Sequence, residues 1–151
     1  FFKSALDAGL ADFAYRIAAT ALTLWQNECA ESYCCFEHFM IESRRGAGWH
    51  QFSGLSSPIV QWFSAYYRPG TLTTGFDAFV RHTDWAPDNS ALNATLDFTA
   101  AGRSTVLAVL QPGPKAVTAS VPCTVTTRHD GLLELTFALD APCTVTISIH
   151  S

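Results

Sequence analysis

Charge is scarce in this chain. Only 15% of its 151 residues are Asp, Glu, Lys or Arg, and the formal net charge is −4. No block of Lys or Arg occurs. Phosphate binding needs clustered positive charge, so nucleic acid is not an expected partner. Long apolar runs are missing too: none approaches the roughly 18–20 residues that cross a bilayer as a helix, so no membrane span is expected. The opening Phe1-Phe2-Lys3 is not followed by the basic, apolar and small-residue regions of a secretory leader. It lies just before a helical pattern, and the chain reads as a processed or truncated piece of something longer. Internal repeats, low-complexity tracts and a G-x-S-x-G elbow are all absent from the sequence. Ser53, Ser56 and Ser57 therefore read as caps and loop residues rather than nucleophiles. His38 and His50 have no partner at ligand spacing, so neither a metal site nor a cofactor is expected.

Cysteine is present but in an unhelpful pattern. The five are Cys29, Cys34, Cys35, Cys123 and Cys143. Adjacent Cys34 and Cys35 suit neither a zinc knuckle nor a CxxC redox pair. Buried small thiols are the plain reading. A bridge between Cys123 and Cys143, each preceding a Thr-Val-Thr strand, is the alternative. The sequence assigns no compartment. Asn93-Ala94-Thr95 fits a glycosylation sequon, a triplet that also arises by chance.

What the chain does have is apolar and aromatic surface, 48% hydrophobic residues and 13% Phe, Trp and Tyr. That suffices for one ordinary domain or two small packed ones. Its character changes near Arg68-Pro69-Gly70. Before this point the apolar spacing is helical, with Leu6, Leu10, Phe13, Ile17, Ala21 and Leu24 stepping by three and four. Ser4 is the expected N-cap, with Asp7 three residues on, and the spacing predicts one helix over 5–27. Residues 28–56 show no period and read as a long aromatic-rich loop of functional type. Ser57-Pro58 predicts the start of a second helix. Ile59, Val60, Trp62, Phe63, Ala65, Tyr66 and Tyr67 make that helix apolar nearly all round, so it should be buried. One such hairpin cannot bury both helices alone, and self-association through exposed helices is an expected consequence.

After Gly70 the period becomes two. Leu92, Ala94, Leu96 and Phe98 share one face of 91–99 and alternate with Asn93, Thr95, Asp97 and Thr99. Residues 104–110 form a short apolar strand. Asp130-Gly131 is a hairpin signal, and Leu133, Leu135, Phe137 and Leu139, then Val145, Ile147 and Ile149, alternate inward. Six or seven such strands predict a small antiparallel sandwich. Asp77, Asp84 and Asp88 lie in a Pro/Asn setting and read as turn chemistry. The expected division is a helical unit over 1–68 and a β-sandwich over 69–151.

Chemistry concentrates in the loop. Glu37 stands within Tyr33-Cys34-Cys35-Phe36-Glu37-His38-Phe39, followed by Gly46-Ala47-Gly48-Trp49-His50-Gln51-Phe52. A carboxylate framed by aromatic rings and hydrogen-bonding side chains suits a sugar site, because rings stack on sugar C–H faces while His and Gln bond hydroxyls. Glu37 reads either as a catalytic base or as a paired carboxylate holding the loop. Flanking rings would desolvate it, which favours a base working near neutral pH. Glu28 and Glu31 read as helix-end groups, solvated or paired with Arg44 or Arg45; the alternative is that either faces the cleft, with Glu31 as the stand-in base, and Glu42 reads as exposed. Trp49 and Trp62 read as sugar platforms or as core.

The order of these parts resembles the end of the catalytic domain in six-hairpin glycoside hydrolases of the family-63-like and trehalase-like kind. The matching residues are Phe36-Glu37-His38-Phe39, then Gly46-Ala47-Gly48, then Trp49 through Ser56. Where that family has Asn and Pro soon after the Glu, this chain has Met40-Ile41-Glu42-Ser43. The resemblance implies an α+β chain: the last helical hairpin of an (α/α)6 barrel followed by a small antiparallel β-sandwich. It implies Glu37 as the general base of an inverting glycosidase, with Phe39, Trp49, His50 and Gln51 shaping a carbohydrate subsite. In an inverting mechanism a second carboxyl, about 6.5–9.5 Å away, protonates the leaving oxygen. No residue here matches that acid, so the implied partner is the upstream remainder of the barrel, and the chain alone is expected to be inactive. The alternative is a carbohydrate-binding or structural interaction module without catalysis.

Overall fold

The computed structural model describes residues 1–51 and 53–151. Phe52, and the side chains of Ser53, Leu55 and Ser56, lie outside the described residues, so the roles expected of them are not placed. The elements are α1 (Phe2–Asp7), α2 (Ala11–Ser32), β1 (Phe36–Phe39), β2 (Gly46–His50), α3 (Ser53–Tyr67) and β3 (Thr71–Thr73). Then follow β4 (Ala78–Trp85), β5 (Leu92–Phe98), β6 (Gly102–Val109), β7 (Ala116–Ala119), β8 (Cys123–His129), β9 (Leu132–Leu139) and β10 (Cys143–His150).

This overturns the expected fold class. Strand accounts for 42% of the described residues, in three sheets, against 27% helix, and the helical part is not the hairpin of an (α/α)6 barrel. Two local features explain the difference. The first is Gly9, which breaks the expected single helix. At φ +66° it takes the left-handed turn that glycine adopts without a Cβ penalty. The Gly9 amide donates to Leu6 O at 3.0 Å and the Leu10 amide to Ala5 O at 2.8 Å, closing α1 with a Schellman cap. The apolar spacing ran through this stop unchanged. Ser4 lies inside α1 rather than capping it, and the N-cap position falls to Phe1. The second is the stretch read as a loop, in which β1 and β2 pair antiparallel. The second helix also starts earlier than expected, at Ser53, with Pro58 inside it. It is not buried all round: Val60 and Phe63 are 61% and 53% exposed.

The chain divides into two compact units, Phe1–Ala14 with Ala65–Ser151, and Tyr15–Ser64. In the first, two four-stranded antiparallel sheets run in the orders β4-β5-β10-β7 and β3-β6-β9-β8. Leu92, Leu96 and Phe98 of β5, Val145 and Ile147 of β10, Val106 of β6, and Leu135 and Phe137 of β9 form one core cluster. The other face of β6 and β9 is buried as well, at Thr105, Leu107, Leu132 and Glu134. α1 contacts β6, and its Phe2 and Leu6 are buried. Phe2 meets Tyr66 edge-on at 5.9 Å. Burial on both faces explains why β6 reads as an apolar run without alternation. Asp7 accepts the Phe76 and Asp77 amides at 2.8 and 3.1 Å, tying α1 to the segment before β4.

A carboxylate on a buried face must be paired. Glu134, 2% exposed, receives Arg128 Nε at 2.6 Å and Nη2 at 2.9 Å, and Arg128 also bonds Asp12. His129 Nε2 lies 2.7 Å from Tyr66 O and its ring stacks on Tyr67 at 5.2 Å. All five cysteines are free, so the Cys123–Cys143 bridge does not form. Removing only Arg128 strands a buried charge. Arg128→Ala is expected to lower unfolding free energy by about 3–5 kcal/mol in urea titrations. An Arg128→Met/Glu134→Leu double variant should recover most of that loss, and a single-variant cost below about 1 kcal/mol would contradict the pairing argument.

Candidate functional site

The second unit carries the residues singled out in the sequence. Its two-stranded sheet pairs Phe36 with His50, His38 with Ala47 and Phe39 with Gly46, with a register shift between Phe36 and His38. Across that shift Glu37 alone faces two residues, Gly48 and Trp49. This is a β-bulge, and Gly48, at φ +86°, supplies the left-handed residue such a bulge requires. Bulges re-aim side chains, and this one brings Glu37 over Gly48. A Cβ built on Gly48 would lie 2.7 Å from Glu37 Oε2 and 2.9 Å from Glu37 Cβ. Only a glycine leaves the carboxylate room there.

Glu37, His38, Trp49, His50 and Gln51 are all exposed. Trp49, at 73% exposure, is therefore not a core residue. Exposure also removes the desolvation by flanking rings that was expected of Glu37. Phe36 instead lies against Gly46, where an added Cβ would sit 2.1 Å from its ring. The His50 ring meets Phe36 edge-on at 5.0 Å, which orients the imidazole. Gln51 adopts φ 54° and donates its amide to Cys34 Sγ at 3.4 Å. Glu37, Trp49 and His50 thus share the bulged hairpin, with Gln51 following. Phe39 is set apart: it lines a groove of about 600 Å³ with Leu24, Met40, Ile41 and Arg44, and none of the other expected site residues lines that groove.

What holds the hairpin is Glu28, whose expected pairing with Arg45 is present and is joined by a backbone partner. It is 4% exposed. Its carboxylate accepts Arg45 Nε at 2.9 Å, Arg45 Nη2 at 3.2 Å and the Gly46 amide at 2.7 Å. Arg45 also reaches Glu31, so Glu31 is engaged in this clasp. The Arg45 hydrogen bond first, and the Gly46 amide second, hold the Glu28 carboxyl down at about 2, against the opposing effect of burial. The signal available in the sequence was the i, i+3 pair Glu28 and Glu31 facing Arg44-Arg45. Its weakness was that an ion pair at a helix end is common and its Gly46 partner invisible. Glu42 is exposed. Burial, then Cys35 and Cys34, push the Cys29 thiol up. Among the described residues no cluster of His, Cys, Asp and Glu is arranged to hold a metal, and no helix is long and apolar enough to cross a membrane.

Two outcomes test this geometry. Glu28 has a folded value of about 2 against an ordinary 4.5. A lowered folded pKa means that the clasp contributes its full stabilisation above the ordinary value and loses it as pH falls through the folded one. The Gly46 amide resonance should therefore titrate with a midpoint near 2, and a midpoint at the unperturbed carboxyl value would break the assignment. Gly48→Ala combines a left-handed backbone with a collision on Glu37. It is expected to loosen the hairpin by about 1–3 kcal/mol, read as faster hydrogen exchange of the β1 and β2 amides, while Ala47→Ser leaves exchange unchanged. Comparison of the chain with protein-family models, curated proteins and solved structures gives no match.

Proposed function

We propose that the bulged hairpin is the base-carrying wall of a sugar-hydrolysing cleft, and that this chain is part of an inverting glycoside hydrolase acting on O-glycosidic bonds. The observation that carries the reading is the seating of Glu37 over Gly48, beside exposed Trp49 and His50. The resemblance of Phe36-Glu37-His38-Phe39 and the Gly-rich stretch after it to the base motif of such enzymes supports it independently.

In this reading Trp49 offers a ring face to the sugar and His50 a hydroxyl partner. Glu37 takes a proton from a water as that water's oxygen bonds to the anomeric carbon. The C–O bond to the leaving group breaks, and a separate carboxylic acid delivers a proton to the departing oxygen. That acid belongs to the rest of the catalytic domain. Exposed Ile41, Val60 and Phe63 provide apolar surface for contact with it.

Exposure of Trp49 also suits a carbohydrate-binding module without catalysis, and one variant separates the two. In the natural polypeptide carrying this chain, Glu37→Gln should lower kcat about 10²–10⁴-fold with KM little changed, and the wild-type product should form with the inverted anomeric configuration by proton NMR. Full turnover in Glu37→Gln rules out the base. Sugar binding without turnover in the wild type favours the module.

A further inference from the structure

The sandwich carries a polar concavity at the edge of its two sheets. β3 and β4 are edge strands, each the first member of its own sheet. Beside them lies a cleft of about 610 Å³ whose lining includes Arg68, Gly70, Thr71, Thr83, Trp85 and Asn89. Its floor is built, not incidental. Gly70 and Asn89 both take left-handed backbones, at φ +84° and +57°. Hydrogen bonds lock them: the Gly70 amide donates to Val109 O at 2.9 Å, the Asn89 amide to Ala86 O at 2.8 Å, and the Gln111 amide to Asn89 O at 3.0 Å. A Cβ on Gly70 would stand 2.6 Å from Asn89 Oδ1, so the glycine is what lets the carboxamide seat there.

The side chains have complementary chemistry. Trp85 is half-buried and packs against the sandwich core, which makes it a rigid aromatic wall. Thr71, Thr83 and Asn89 offer neutral donors and acceptors. Arg68 is exposed and pairs with no carboxylate among the described residues. One unpaired guanidinium beside a Trp wall and neutral hydrogen-bonding groups matches a ring that carries hydroxyls and a single carboxylate. Guanidinium binds carboxylate through two parallel hydrogen bonds.

We infer that this cleft is a binding site for an acidic sugar residue, with Arg68 on its carboxylate, Trp85 against its ring and Asn89, Thr71 and Thr83 on its hydroxyls. The inference does not rest on the role proposed for Glu37. Isothermal titration of the chain with a glucuronate-containing disaccharide, the matching neutral glucose disaccharide and inorganic phosphate tests it. The acidic disaccharide should bind about tenfold or more tightly than either comparison ligand, the scale of a charge-assisted hydrogen bond. Its binding should weaken with added salt. Arg68→Gln should remove that preference while leaving the melting temperature unchanged, and Arg68→Lys should restore part of it. The indole N–H signal of Trp85 should shift on binding, and that of Trp49 should not. Equal binding of the neutral sugar or phosphate, no binding at all, an unaffected Arg68→Gln variant, or a shift at Trp49 instead of Trp85 would each overturn the assignment. Failure of the Glu37 test alone would leave it standing.

Discussion

The middle of the sheet β3-β6-β9-β8 has no solvent face, and much else in the sandwich unit follows from that. Core side chains cover one side; Phe2, Leu6 and Tyr66 are buried in the same unit, with α1 against β6. A polar group on a two-sided strand is costly to leave unpaired, and Ser104 Oγ of β6 is buried with no partner among the described residues. Thr105 and Thr136 satisfy each other at 2.9 Å across the β6–β9 pair, and Glu134 takes the Arg128 guanidinium. Arg128 reaches Asp12 at the start of α2 as well.

The hairpin unit uses the same logic on a smaller scale. A two-stranded sheet is marginal by itself. Here a buried carboxylate on α2 grips the second strand at its first residue, through Arg45 and the Gly46 amide. The grip fixes where β2 begins, and the bulge at Gly48 then decides where Glu37 and Trp49 fall. The hydrogen bonds of Glu28 and the left-handed backbone of Gly48 are two parts of one positioning device.

Much of the sandwich was readable from alternation, which is clearest in β5 and β10, where one face is wetter than the other. The alternation over 91–99 is β5, and the inward residues of 133–139 and 145–149 are those of the core. The helical half was harder. Apolar residues at three- and four-residue spacing continue across Gly9, and only the backbone geometry shows that the helix stops there. β1 and β2 went unread because each is four or five residues long, too short for a period, and the bulge breaks alternation at Glu37. Glu37, Trp49 and His50 could be picked out by residue type and order. For Glu28 the pairing with Arg45 could be read, but not its grip on β2, which depends on a backbone amide 18 positions away.

The exposure of Glu37 constrains how a catalytic role must work. A general base acts best where water is excluded and neighbouring dipoles are fixed. The hairpin fixes position and orientation, through Glu28 below and Gly48 beside the carboxylate, but leaves the group in water. On the proposed reading, orientation is thus encoded in this chain, while desolvation and the acid come from the surface that closes over it. On the same reading the two carboxylates divide the work: Glu28, buried and strongly held, is structural, and Glu37, exposed, is the one proposed for chemistry. A base that has to meet an incoming wall gains from a rigid mount more than from a preformed pocket.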